Sequence, residues 1–199
     1  EVFLEVITEV KEFRGLEDCV IQKDFNYDVP IQRPSKILCM GKNYAKHAAE
    51  FDSDVPEKPM FFSKLPSTLL PHEGMIRIPH DIGRVDHEVE LALVIGKNAS
   101  HVSESHAFEY VAGYMIANDV SARTLQGEAK KAGHPWTLAK GIDTFLPCGP
   151  FLVPADSIDD PHDLDIMLTV NDEVRQQSNT RHMVFAIPEI IAYITKYIT

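Results

Sequence analysis

The chain has 199 residues, enough for one substantial hydrophobic core with a small appended segment. Its net charge of −11 argues against a nucleic-acid-binding surface or attraction to anionic lipid, and its 44% hydrophobic and 25% charged residues are ordinary for a soluble globular protein. No apolar run is long enough to cross a bilayer, and Cys19, Cys39 and Cys148 are too scattered for a disulfide framework or a zinc site.

In chain order, "EVFLEVITEV" alternates like a strand and "FNYDVPIQRP" reads as a connector, so residues 1–33 form a small N-terminal segment. The texture changes at Pro34, where residues 34–199 begin a second unit. "KILCMG" predicts a short strand ending at Gly41, "NYAKHAAEF" a short helix, and "PMFFSK" another strand. A proline-punctuated stretch follows, then "DHEVELALVIGK", a strand that the alternation of apolar residues predicts to be buried on both faces. "SESHAFEY" is helix-like, "VAGYMIANDVSA" is a strand, and "DLDIMLTVNDEVRQQS" is a hairpin turning at Asn171-Asp172. "IPEIIAYITKYI" is an amphipathic helix with Pro188 in its first turn. Phe61, Met167 and Phe185 are expected in the core. Strands outnumber helices without regular alternation, which predicts an α+β fold rather than a doubly wound sheet.

Three acids end apolar strands. Glu88 and Glu90 share one face of their strand, about 7 Å apart, and Asp119 shares the parity of Gly113, Met115 and Ala117. Each alone is ordinary, since aspartates often cap strand ends and glutamates often enter a strand from solvent. Like charges on a buried face are costly unless one carboxyl is protonated, basic side chains approach, or a cation sits among them. An all-oxygen cluster of this kind suits Mg²⁺ or Mn²⁺. His47 and Glu50 lie three apart, one helical face, where the carboxylate orients an imidazole base, although the pattern is common on surface helices. Lys140 either snorkels to solvent or balances an anionic substrate, and Arg123 and Gln126 follow Asp119 closely enough to serve the same pocket.

"GKNYAKHAAE", "DHEVELALVIGK", "GYMIANDVSAR" and "AKGIDTFLPCGP", in that order, resemble the signature segments of the fumarylacetoacetate hydrolase superfamily. "VNDEVRQQSNTRHMVF" resembles its later hairpin, while "KKAGHPWTLAK" and "IPEIIAYITKYIT" are most similar to its acylpyruvase/oxaloacetate decarboxylase subgroup. The resemblance runs from about Pro34 to Thr199. It implies a strand-rich mixed β-sheet roll, with residues 34–199 as the catalytic domain. It implies Mg²⁺ (or Mn²⁺) at Glu88, Glu90 and Asp119, a water-activating dyad of His47 and Glu50, and substrate contacts from Gln126 and from Lys140, which counts among the catalytic candidates with that dyad. Arg123, placed by its position after Asp119, is expected to bind substrate beside them. The implied partners are a small 2-oxo acid and a second copy in a homodimer, with no nucleic acid and no membrane. The implied compartment is the cytoplasm, or the mitochondrial matrix if a transit peptide has been removed.

Under this resemblance the expected reaction is hydrolysis of acylpyruvates or decarboxylation of oxaloacetate. The alternatives are an isomerase/decarboxylase of unsaturated 2-oxo dicarboxylic acids, an oxaloacetate tautomerase, and a catalytically silent metal-binding protein. Two positions depart from the family pattern: Thr124 stands where Asp is usual, and Asn171-Asp172 where the hairpin normally turns through Asn-Gly. Family sequences also continue into a Gly-Asp strand and a Thr-Gly-Thr-Pro loop, so the chain is expected to be incomplete beyond Thr199.

Overall fold

The computed structural model describes residues 26–44 and 56–199. The predicted strand "EVFLEVITEV", most of the predicted helix "NYAKHAAEF", and the candidates His47 and Glu50 lie outside the described residues, as does Cys19.

The fold is α+β, built from several small sheets. Strands β1 (Ile37–Gly41) and β2 (Met60–Lys64) pair antiparallel, with Gly41 opposite Met60. β3 (Leu69–Leu70) pairs in parallel with β8 (Leu146–Pro147). The centre is an antiparallel ribbon. β4 (Val85–Asp86) pairs with β7 (Ser121–Ala122), and β5 (Val89–Ile95) with β6 (Val111–Asn118), which also pairs with β9 (Val153–Pro154). The partners Asp86–Ser121 and Val89–Asn118 keep one register across the gap between the two ladders. That register sets Glu88 opposite Asp119, whose amide donates to the Glu88 carbonyl at 2.8 Å.

Helix α1 (Arg123–Ala132) leaves the ribbon directly after β7, and a single turn, α2 (Thr137–Lys140), follows. No side chain caps the start of α1. Its end is marked by Lys130 and Lys131 in the last turn and by left-handed Gly133. Helix α3 (Ile187–Thr195) starts at a proline and buries Ile187, Ile190, Ile191 and Thr195, a single face at helical spacing. That face packs on Ala107, Val111 and Tyr114, with Leu91 and Leu93 of β5 alongside. A second cluster of Val120, Ala122, Ala139 and Phe145 lies behind β7 and α2.

The hairpin β10 (Asp165–Val170) and β11 (Glu173–Asn179) turns at Asn171-Asp172 as its sequence predicts. Both residues take positive φ, 50° and 64°, the conformation a two-residue hairpin turn of the primed kind requires and one that Asn and Asp tolerate. Two expectations need correcting. β5 is half-buried rather than buried on both faces, and Ile95 is 43% exposed, because among the described residues only β6 flanks it. Met167 is 57% exposed, since β10 turns that side chain outward, whereas Phe185 is buried as expected.

β6 and β9 approach closely at Gly113, where an added Cβ would lie 2.4 Å from the Val153 carbonyl oxygen. Backbone cannot yield as a flexible side chain would. Gly113→Ala should therefore lower stability by about 1–3 kcal/mol, measured by urea denaturation. An unchanged midpoint would mean that β9 moves aside at no cost.

Candidate active site

Glu88, Glu90 and Asp119 share one face of the central ribbon, because Glu88 stands opposite Asp119 and Glu90 opposite Ala117. Directly opposed like charges repel, and here basic side chains answer them. Lys140, buried at the end of α2, places its Nζ 2.6 Å from both Glu88 Oε2 and Asp119 Oδ2. Lys64, the inward-facing end of β2, donates to Asp119 Oδ1 at 2.7 Å and to the Val120 carbonyl at 3.1 Å. Arg123 opens α1 and donates to Glu88 Oε1, to Asp86 Oδ2 at 2.9 Å and to Gln126 Oε1 at 3.0 Å. Ser121 completes the shell, its hydroxyl donating to Glu88 Oε2 at 2.8 Å.

These contacts set the charges. Burial pushes the Lys140 ammonium toward losing its proton, but Asp119 and Glu88 outweigh it and hold its pKa above the ordinary lysine value. For Lys64 burial wins, and its pKa falls despite Asp119. Burial would raise Asp86, yet Arg84 and Arg123 hold it below the usual carboxylate range. Glu90 is the odd member. No hydrogen bond from a described residue reaches its carboxylate; burial, then Asp119 and Glu88, push its pKa up to about 8, with Lys140 only partly opposing. Tyr44 stands nearby, its buried hydroxyl without a hydrogen-bond partner among the described residues.

These groups line a cavity of about 640 Å³, walled by Gly41–Tyr44, the acids, α1 and the β10–β11 hairpin. Gln176 clasps the hairpin to β5, its Oε1 accepting from the Val89 amide at 2.9 Å. The floor is aromatic: Phe62 lies 4.8 Å from Lys140 Nζ and 5.5 Å from Trp136. Neither described cysteine is a nucleophile candidate, since burial raises the Cys39 thiol strongly and Cys148 to about 11.

Of the residues expected from sequence, the structure brings Glu88, Glu90, Asp119, Arg123, Gln126 and Lys140 to this one cavity. Lys140 does not snorkel; it bridges two acids. Among the described residues no three acid, histidine or cysteine side chains converge as a ready-made metal cage, and the Lys140 ammonium sits between Glu88 and Asp119. Sequence reasoning missed Lys64, Asp86, Gln176 and the aromatic floor. Two of these carried a signal. Asp86 continues the parity of Glu88 and Glu90, and Lys64 continues that of Met60 and Phe62.

The model of the fumarylacetoacetate (FAA) hydrolase C-terminal family matches residues 36–199. The chain belongs to the fumarylacetoacetate hydrolase family. An uncharacterized protein of Pyrococcus abyssi is 49% identical over 177 residues, 89% of this chain and 77% of that protein. Oxaloacetate tautomerase FAHD1, mitochondrial, of Arabidopsis thaliana is 47% identical over 165 residues, 83% of this chain and 74% of the relative. The crystal structure of fumarylpyruvate hydrolase from Pseudomonas aeruginosa in complex with Mn²⁺ and pyruvate matches with a TM-score of 0.76 at 31% identity, covering 88% of this chain and 75% of that one. The chain is thus a member of an enzyme family. Among the described residues no helix is long and apolar enough to cross a membrane.

Two outcomes follow from the charge arrangement. Lys64→Met leaves Asp119 buried with one cation fewer, and removal of one partner of a buried pair costs about 3–5 kcal/mol. A loss of that order in urea melts is expected, and a loss within 0.5 kcal/mol, roughly the scatter of surface substitutions, would show that Lys140 alone satisfies Asp119. The second outcome is a pH effect. The folded protein keeps Glu90 protonated up to about pH 8, whereas the unfolded chain releases that proton near 4.5, the ordinary value for a glutamate. Between these limits the native state binds more protons, so Glu90 makes stability fall as pH rises. In metal-free buffer, Glu90→Gln should therefore flatten the stability profile between about pH 4.5 and 8, a change read from melts across that range.

Proposed function

We propose that this chain carries the catalytic domain, residues 34–199, of an enzyme that cleaves a C–C bond in small 2-oxo acids, hydrolysing acylpyruvates and decarboxylating oxaloacetate. The observation that carries this reading is a cavity in which three carboxylates on one ribbon face meet Lys140 and Arg123. The relatives, an oxaloacetate tautomerase and a fumarylpyruvate hydrolase with Mn²⁺ and pyruvate, support the same substrate chemistry.

A hard divalent cation fits the donor set, which is all oxygen and includes one carboxylate, Glu90, with no hydrogen bond from the described residues and too much negative charge beside it. Glu88, Glu90 and Asp119 would hold Mg²⁺ or Mn²⁺, which when bound supplies Lewis-acid polarisation of the 2-oxo group. The protein's own groups do the rest. With no metal bound, Asp119 and Glu88 hold the pKa of Lys140 above the ordinary lysine value, and its Nζ lies at the acid end of the cavity, where an ammonium meets developing negative charge. Arg123 and Gln126, joined by a 3.0 Å hydrogen bond, present donors to the substrate carboxylate from the first turn of α1. In hydrolysis, His47 assisted by Glu50 takes a proton from water, and the resulting hydroxide attacks the distal carbonyl. The C–C bond breaks, a carboxylic acid departs, and pyruvate leaves as its enolate, which takes up a proton. Oxaloacetate needs no activated water: loss of CO₂ leaves the same enolate.

A second reading, keto–enol tautomerisation of oxaloacetate, is favoured by the name of the Arabidopsis relative. It requires only that a base move a proton between C3 and the 2-oxo oxygen. The reading further includes a homodimer, working in the cytoplasm or the mitochondrial matrix.

Assays on acetylpyruvate and oxaloacetate, with and without Mg²⁺, test the proposal directly. His47→Ala should depress acetylpyruvate hydrolysis by about 10²- to 10⁴-fold while sparing most oxaloacetate decarboxylation, because only hydrolysis needs a general base for water. Equal losses on both substrates would reassign His47 to binding. Treatment with a chelator should abolish both activities, and Mg²⁺ or Mn²⁺ should restore them. Turnover indifferent to chelation would remove the cation from the mechanism.

A further inference from the structure

Among the described residues the cavity brings both signs of charge together: six lysines and arginines line it, Lys42, Arg84, Arg123, Lys130, Lys140 and Arg175, along with His87, against the four carboxylates of Asp86, Glu88, Glu90 and Asp119. Four of the six already have acidic partners: Arg84, Arg123 and Lys140 bond the cavity acids, and Arg175 pairs with Glu173 at 3.0 Å. Lys42 and Lys130 form no ion pair among the described residues. Lys130 Nζ sits 5.0 Å over the Trp136 ring, and cation–π attraction holds it on the cavity side of α1. The Lys42 backbone stands in the cavity wall at φ 58°, a left-handed conformation uncommon for a lysine, beside Asn43, whose side chain bonds the Phe185 backbone in both directions.

The aromatic floor gives these charges an order. Lys130 lies over Trp136, Trp136 meets Phe62, and Phe62 lies under Lys140. An apolar strip of two rings tilted by 55° thus has a cation at each end, one among the acids and one with no acidic partner among the described residues. Burial, then Lys42, Arg123 and Lys140, lowers the pKa of Lys130, so the unpaired end is self-repelling until an anion enters. A ligand that lies along the strip with an anionic group at each end satisfies both.

We propose that Lys130, braced on Trp136 and assisted by Lys42, forms a second anion subsite that reads the distal carboxylate of a dicarboxylic 2-oxo acid. The proposal rests on the reading of the cavity as a 2-oxo acid site and adds which 2-oxo acids it prefers. The oxygen-rich end of the cavity takes the 2-oxo carboxylate, and the Lys130 end distinguishes a charged tail from a neutral one.

The test uses 2-oxoglutarate and 2-oxopentanoate, which share chain length and differ in the terminal carboxylate. Trp136 is the only tryptophan in the chain, so its fluorescence reports binding at this end of the cavity without turnover. The Mg²⁺-loaded wild-type protein should bind 2-oxoglutarate about tenfold more tightly than 2-oxopentanoate, the scale of one charge-assisted hydrogen bond. Lys130→Met should bring the ratio of dissociation constants close to one, chiefly by weakening 2-oxoglutarate, and Lys130→Arg should restore most of it. Lys42→Met should lower the ratio partially, which gives a second variant on a separate element. Equal affinity of the wild-type protein for the two acids, or equal weakening of both by Lys130→Met, would overturn the subsite. If the charged-tail preference depends on Lys130 while neither acetylpyruvate nor oxaloacetate is turned over, the subsite stands and the proposed reaction falls.

Discussion

Two carboxylates directly opposite each other on an antiparallel ribbon form the constraint on which the rest of the molecule depends. The register that runs unbroken from β4–β7 into β5–β6 forces Glu88 and Asp119 together, and backbone hydrogen bonds hold them there. Side chains cannot relieve that repulsion by moving apart. The chain relieves it by bringing cations from three other elements: Lys64 from β2, Arg123 from α1 and Lys140 from α2. The placement of both helices after β7 therefore serves electrostatics as much as packing. Even so the compensation is incomplete, for Glu90 sits on the same face without a bonded cation among the described residues and becomes hard to ionise. Buried carboxylates and cations thus stand side by side in one cavity, an arrangement that shifts the proton affinity of both.

Much of this arrangement can be read from residue order, for particular reasons. Period-two alternation put Glu88, Glu90 and Asp119 on buried faces, and that parity survives in the fold because a strand has no other way to distribute its side chains. The hairpin was visible at Asn171-Asp172, since those two residues tolerate the positive φ the turn demands. Helix α3 announced itself through Pro188 and an apolar stripe. Helix α1 did not. Ala122 stands where a capping side chain would be, Gly127 interrupts its middle, and only Gly133 with Lys130 and Lys131 marks its end.

The cationic half of the site was less visible than the acidic half. Lys140 appeared in sequence as a choice between solvent and substrate; the structure turns it from solvent onto two acids that lie 52 and 21 residues away in sequence. Lys64 looked like a strand end. Its burial depends on the long-range pairing of β1 with β2 and on Asp119, 55 residues on. Local pattern specifies which face a side chain takes; it does not specify what waits opposite. The misplaced expectations have the same origin. Met167 fits an apolar strand pattern, yet among the described residues β10 pairs only with β11, and it turns that side chain to solvent.

The clasp between the hairpin and the ribbon differs in kind from everything around it. Lys64, Arg123 and Lys140 grip their partners by charge, so their hold varies with protonation and, toward the cavity mouth, with dissolved salt. Gln176 grips the Val89 backbone through a neutral amide oxygen. That bond carries no net charge to screen. The wall of the cavity formed by β11 therefore keeps its seat on β5 through changes in ionic strength that retune the charges inside it. The container is insensitive to dissolved salt, to which its contents respond.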